Sequence, residues 1–157
     1  MQHSLSAYWI NSSHNTYLTG DQFQSQSSVA MYTHALHCGC RCLELDCFDG
    51  PRDTGDNRPI VWVYHMFTMT TRILFSDIIE VIKQFIDSNP DCYPMILSLE
   101  NHCSLPYQEA MATCMTSVFG ESLYIPEDSA INDALPSPEE LKGKVLLKGR
   151  RITDTKE

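Results

Sequence analysis

Glu44 and Asp46 lie two residues apart in a segment, Cys40 to Phe48, whose polarity alternates and predicts a strand. On a strand both carboxylates share one face, and Leu43 and Leu45 share the other. If the leucines face helices, the two acids face the interior of the fold. Two anions placed there repel each other and lose hydration unless a cation joins them. A half-exposed strand with its polar residues outward would account for this pair taken alone. Glu100, however, follows a second apolar strand, Met95 to Leu99, and Asn15 follows a third apolar run, Tyr8-Trp9-Ile10. Three carboxylates and one amide oxygen form a hard donor set, suited to calcium or magnesium and poor for zinc.

His14 adjoins Asn15, and His65 ends a further predicted strand, Ile60 to His65. One histidine on a core face is usually a satisfied side chain, but two flanking a cation cluster suggest a general acid–base pair. Lys148 and Arg150 are two apart at the end of a last strand that opens at Lys144 to Leu147. On a strand they would grip an anion together; alone they also read as an ordinary basic chain end.

The elements that must carry these groups alternate between two periods. Val29, Tyr32 and Leu36 follow Ser27 and Ser28, which offer an N-cap, and Gly39 offers a stop. Phe75, Ile78, Ile79, Ile82, Phe85 and Ile86 form a helical stripe that Ser88-Asn89-Pro90 ends. Pro106 suits a first helical turn, with Tyr107, Met111, Cys114 and Val118 on one face before Gly120. Residues 50–59 and 121–141 read as loops. The order β-α-β-β-α-β-α-loop-β predicts βα units and a parallel sheet. In an α/β barrel chemistry sits at the C-terminal ends of strands. His14 with Asn15, Glu44 with Asp46, His65, Glu100 and Lys148 each end or follow a predicted strand.

The chain has 157 residues, a single-domain length, of which 43% are apolar and 20% charged, so a buried core is expected and wholesale disorder is excluded. No apolar run comes near the roughly 18 residues of a membrane helix, and the polar start, Met1-Gln2-His3-Ser4, lacks a signal-peptide core. A cytoplasmic chain is expected, although a membrane surface could still present its substrate. Residues 1–141 hold five Lys and Arg against 18 Asp and Glu, whereas residues 142–157 hold six against two. The acidic body disfavours nucleic acid, and the basic end is a separate anion-meeting feature. Seven cysteines without a signal argue for reduced thiols. Cys38, Cys40 and Cys42, near His34 and His37, raise the question of zinc, but their Cys-x-Cys-x-Cys spacing favours buried free thiols.

Longer motifs then carry a resemblance. Trp9-Ile10-Asn11-Ser12-Ser13-His14-Asn15-Thr16-Tyr17-Leu18, Gly39-Cys40-Arg41-Cys42-Leu43-Glu44-Leu45-Asp46, Tyr64-His65, Leu97-Ser98-Leu99-Glu100-Asn101-His102-Cys103, Leu135-Pro136-Ser137-Pro138 and Lys144-Val145-Leu146-Leu147-Lys148 occur in this order. Across nearly its whole length the chain resembles the X region of a eukaryotic phosphoinositide-specific phospholipase C. Gly20-Asp21-Gln22-Phe23 resembles the gamma type. The resemblance implies the first half of a TIM-type (β/α)8 barrel over residues 1–157, incomplete without a Y region. It implies calcium-dependent hydrolysis of phosphatidylinositol 4,5-bisphosphate to diacylglycerol and inositol trisphosphate, at a membrane surface and in signal transduction. It assigns Asn15, Glu44, Asp46 and Glu100 to calcium and His14 and His65 to catalysis. Lys148 and Arg150 would take the ring phosphates.

Three departures stand out. Met66 occupies a position where the family usually has Gly. Trp62-Val63 resembles an addition that would shift the register before His65. Arg150 replaces a common Lys, exchanging a point charge for a planar fork. Two other readings compete, a phospholipase-like scaffold without turnover and a metal-binding module unrelated to lipid. Retention of both histidines favours the enzyme over the scaffold, and those histidines with Lys148 are unexplained by a bare metal module.

Overall fold

Strand β2, Cys42–Arg52, organises the molecule. Its Leu43, Leu45 and Cys47 are fully buried against the helices, and Glu44 and Asp46 alternate with them on the other face. In the computed structural model, which describes residues 1–126 and 135–150, β2 is the most widely paired strand. One edge takes β5, Met95–Asn101, in parallel along 42–47. The opposite edge takes β1, Ser12–Ser13, in parallel at its start and β3, Pro59–Val63, antiparallel at its end. Beyond β5 lies β6, Val145–Gly149, again parallel. Beyond β3 lies β4, Ile73–Leu74, antiparallel.

The parallel order β1-β2-β5-β6 is connected by helices: α1, Ala30–His37, after β1; α2, Phe75–Ser88, before β5; α3, Leu105–Phe119, after β5. Four successive parallel strands with covering helices match part of a TIM-type barrel. β3 and β4 are then an antiparallel excursion inside the connection from β2 to α2. This corrects the all-parallel expectation. Residues 50–59 contain no helix to carry the chain back across the sheet, so the strand returns beside itself.

The boundaries differ in instructive ways. Tyr8-Trp9-Ile10 is not a strand; a 3-10 turn covers Leu5–Ala7, and the first pairing comes later, at Ser12. Trp9 is fully exposed and Tyr8 and Ile10 are only half-buried, so the run lies outside the sheet. The predicted loop at 50–59 shrinks to 53–58 because Gly50 to Arg52 remain in β2. β3 ends at Val63, two residues short of His65, and its pairing is continuous through Trp62 and Val63; the irregularity lies between Asp49 and Arg52. The anticipated register shift at Trp62-Val63 is therefore absent.

Helix ends follow the expected signals. Gly39, with φ of 86°, closes α1, and Gly120, with φ of 51°, closes α3. Pro106 stands in the first turn of α3. Asp49 anchors that end from β2, accepting bonds from the Ser104 N–H at 2.9 Å and the Ser104 hydroxyl at 2.7 Å. On α2, Phe75, Ile78, Ile79, Ile82 and Ile86 are buried. They join Met95, Leu97 and Val145 in the core between sheet and helices.

A second, smaller cluster sits on the inner face of the sheet. Leu146 and Ile96, register partners near the starts of β6 and β5, pack with Leu5, Ile10, Leu141 and Tyr124. This apolar floor occupies the N-terminal end of the inner face, and the acids occupy the C-terminal end.

The thiols divide, and the expectation that Cys38, Cys40 and Cys42 are buried is corrected. Cys47 and Cys103 are the buried pair, and burial with the neighbouring Asp49 pushes Cys103 up to about 12. Cys38 is exposed and Cys40 and Cys42 are half-buried, because the first two lie at the turn between α1 and β2 and the third lies on the inner face. All seven are free.

Gly50 gives a direct test of the β2–β3 excursion. A Cβ there would overlap the Ile60 carbonyl oxygen and the Trp62 indole, while the Gly50 carbonyl accepts a 2.8 Å bond from the Tyr107 hydroxyl. Gly50→Ala is expected to destabilise the fold by about 1–3 kcal/mol, the usual cost of overpacking. A denaturant midpoint equal to that of the unmodified protein would refute the close approach.

Candidate active site

The segment after β1 is keyed to β2 residue by residue. The Asn15 N–H donates to Glu44 Oε2 at 2.7 Å. The Thr16 hydroxyl accepts from the Glu44 N–H at 3.1 Å and donates to the Ser13 carbonyl at 3.2 Å. The buried Tyr17 hydroxyl reaches Asp46 Oδ2 at 2.7 Å and Asn15 Oδ1 at 3.0 Å. Asn15 adopts a φ of 47°, a left-handed conformation that Asn tolerates better than most residues. Its side chain is thereby turned in beside the two acids and is nearly inaccessible to solvent.

Asp46 is the centre of this arrangement. It is buried, and its Oδ1 has no hydrogen-bond partner among the described residues. Burial holds its carboxyl above the usual range; the Tyr17 bond opposes this, the charges of Glu44 and Glu100 add to it, and His65 opposes it. Glu100 is the register partner of Asp46 across β2 and β5, and Ser98 is that of Glu44. Glu44, Asp46 and Glu100 thus share one face at the C-terminal ends of adjacent strands. Among the described residues, no three His, Cys, Asp or Glu groups close into a metal cage. The donor set is nevertheless all hard oxygen, and the orphaned Asp46 oxygen is a buried acceptor that a cation would satisfy. These residues fit calcium. The structure forms no zinc cluster from Cys38, Cys40 and Cys42.

The two histidines flank the acids on loops. His14 is exposed, with Nε2 3.6 Å from Glu44 Oε2. His65 lies in the connection after β3, and its Nδ1 meets the Gln22 carbonyl at 2.8 Å. A carbonyl cannot donate, so Nδ1 carries the hydrogen and Nε2 is left for chemistry. The Thr68 hydroxyl donates to the His65 carbonyl at 2.7 Å and fixes the turn.

Lys148 on β6 points to the same face, its Nζ donating to Ser98 Oγ at 3.3 Å. Arg150 follows β6 and is exposed. Arg151 and Lys156 of the basic end, and residues 127–134 of the expected loop, lie outside the described residues.

Sequence reasoning did not single out Tyr17, His102 or the loop pair around Phe23 and Phe67. His102 stacks on Phe48 with ring centroids 4.6 Å apart and has Nε2 3.7 Å from Glu100 Oε2. The loop pair is joined by the Met69 N–H donating to the Phe23 carbonyl at 2.8 Å. It presents Phe23, Phe67 and Met69 at 73%, 94% and 82% exposure beside His65. An unpaired aromatic in a Gly- or Thr-flanked loop was the available signal.

Comparisons with known proteins identify the family. The family model "Phosphatidylinositol-specific phospholipase C, X domain" matches residues 1–151. The chain is 49% identical over 154 residues to 1-phosphatidylinositol 4,5-bisphosphate phosphodiesterase eta-2 of Mus musculus, covering 97% of this chain and 10% of that protein. It is 46% identical over 154 residues to the gamma-2 protein of Homo sapiens, covering 97% of this chain and 12% of that protein. The crystal structure of PLC21 from L. pealei superposes with a TM-score of 0.84 at 45% identity, covering 99% of this chain and 20% of the other. The chain thus spans about a tenth of the length of these curated relatives. Similar identities to eta-2 and gamma-2 give the gamma type no preference.

Proposed function

Because the chain belongs to the phosphatidylinositol-specific phospholipase C X-domain family, we propose that it forms half of the catalytic barrel of a calcium-dependent phosphodiesterase. The substrate would be phosphatidylinositol 4,5-bisphosphate at a membrane surface, and the products diacylglycerol and inositol 1,4,5-trisphosphate. One observation carries this reading: Asp46, buried between Glu44 and Glu100 with one oxygen unpartnered, at strand ends flanked by His14 and His65.

Asn15, Glu44, Asp46 and Glu100 would hold calcium, which when bound lowers the pKa of the inositol 2-hydroxyl. Glu44 or Glu100 accepts the proton of that hydroxyl. The oxygen attacks phosphorus, the bond to the diacylglycerol oxygen breaks, and His65, acting as the imidazolium, donates its Nε2 proton to that leaving oxygen and is left as the neutral Nδ1–H tautomer. The Gln22 carbonyl accepts from Nδ1–H in both forms and so fixes the orientation of the ring. His14 stabilises charge developing on the phosphoryl oxygens. Water then opens the cyclic phosphate, with the proton flow reversed. The exposed Phe23, Phe67 and Met69 suit a lipid surface at the mouth, and among the described residues no helix is long and apolar enough to cross a membrane.

The test uses the full-length protein containing this chain with bisphosphate-bearing vesicles. Inositol trisphosphate should form with calcium and cease on chelation. Binding of calcium and lipid without any product would favour the silent scaffold. In the same assay Lys148→Ala and Arg150→Ala should weaken preference for the bisphosphate more than hydrolysis of unphosphorylated phosphatidylinositol. Equal losses on both lipids would place these cations away from the ring phosphates.

A further inference from the structure

We infer that Tyr17 is a positioning residue that sets cation affinity by tying the loop that carries Asn15 to Asp46. The inference rests on the calcium-dependent reading above and assigns a role to a side chain that is not itself a proposed cation ligand.

The geometry is that of one donor between two acceptors. The Tyr17 ring is fully buried in the main core, so the position of its hydroxyl is set by packing. That hydroxyl lies 2.7 Å from Asp46 Oδ2 and 3.0 Å from Asn15 Oδ1. A phenol has a single proton to give. The ionised and nearer oxygen, Asp46 Oδ2, has the stronger claim on it. Two acceptors are then left over, Asn15 Oδ1 and Asp46 Oδ1, and the second has no partner at all. One comes from the loop after β1 and the other from β2, and a hard cation would satisfy both at once. Tyr17 therefore pins the loop that carries Asn15, two residues before it, against Asp46 and leaves one oxygen of each to the cation.

Two other hydrogen bonds join this loop to β2, the Asn15 N–H to Glu44 Oε2 and the Glu44 N–H to the Thr16 hydroxyl, but both end on Glu44 and neither reaches Asp46.

The experiment is calorimetric titration of the full-length protein with calcium alone, without lipid. Tyr17→Phe should bind about 10- to 100-fold more weakly, the usual effect of removing a group that orients a metal ligand. Tyr107→Phe is the control, because it also loses a buried-end phenol bond, to the Gly50 carbonyl at 2.8 Å, away from the acids. It should keep the unmodified affinity even where its melting temperature falls. Unchanged affinity in Tyr17→Phe, or equal loss in both variants, overturns the inference and leaves the calcium reading standing. Failure of the unmodified protein to bind calcium overturns both. Should Tyr17→Phe not fold, 3-fluorotyrosine incorporated at position 17 retains the hydroxyl. Its fluorine resonance should shift on calcium addition with the calorimetric midpoint, and a resonance that stays put refutes the inference.

Discussion

Replacing His65 with alanine in the full-length protein is expected to lower turnover about 10²- to 10⁴-fold, the span associated with one general acid or base, while calcium binding is retained. The separation follows from the structure. His65 reaches the site from the β2–α2 connection, and its contacts are loop contacts: Nδ1 to the Gln22 carbonyl and the backbone to Thr68 and Thr70. Removing the imidazole deletes the Nε2 proton and loosens one tie between two surface loops, but touches none of the four oxygen donors. His14→Ala should lose turnover over the same range by a different route, through the phosphoryl charge it no longer meets. Near-normal rates in either variant, measured on bisphosphate vesicles, would remove that residue from the mechanism. A melting curve for each separates lost chemistry from lost fold.

The second large effect concerns assembly. A closed barrel of this type needs eight strands and about 250 residues, and the parallel run here is β1-β2-β5-β6. Among the described residues, β6 has only β5 as a ladder partner beyond its isolated bridge from Leu123, and Leu147 on its helix-facing side is 44% exposed. Such an edge is a pairing surface. The 157-residue chain by itself is therefore expected to hydrolyse the bisphosphate at background level. Supplying the second barrel half as a separate polypeptide should restore activity through the shared edge. A lone chain that is monomeric, sharply melting and fully active would show that it needs no second half.

The same two results bear on how far the residues alone could be read. Alternation in Leu43 to Cys47 put the acids and leucines on opposite faces, and the structure agrees, because a period of two leaves a strand no other choice. The stripe on α2 and the stops at Gly39 and Gly120 were equally plain. Tyr8-Trp9-Ile10 misled because three apolar residues satisfy strand propensity whether or not anything covers them; Trp9 is uncovered. The hairpin direction of β3 was hidden in what residues 50–59 lack, a helix, and not in β3 itself. Tyr17 was unreadable for a related reason. A Tyr beside a Leu looks like core, and only the approach of β1 to β2 reveals that its hydroxyl ends between Asn15 and Asp46. His65 is expected at the end of a barrel strand, whereas it lies on a loop two residues beyond β3.

The apolar floor formed by Leu5, Ile96, Leu141 and Leu146 has a consequence for traffic. It closes this part of the inner face at the N-terminal end, away from the exposed Phe23 and Phe67. If the chain turns over a lipid headgroup as proposed, substrate would enter and polar product would leave on the side where those two rings stand. Exit and entry would then be mutually exclusive on this half, and clearance of the mouth would pace turnover along with the chemistry behind it.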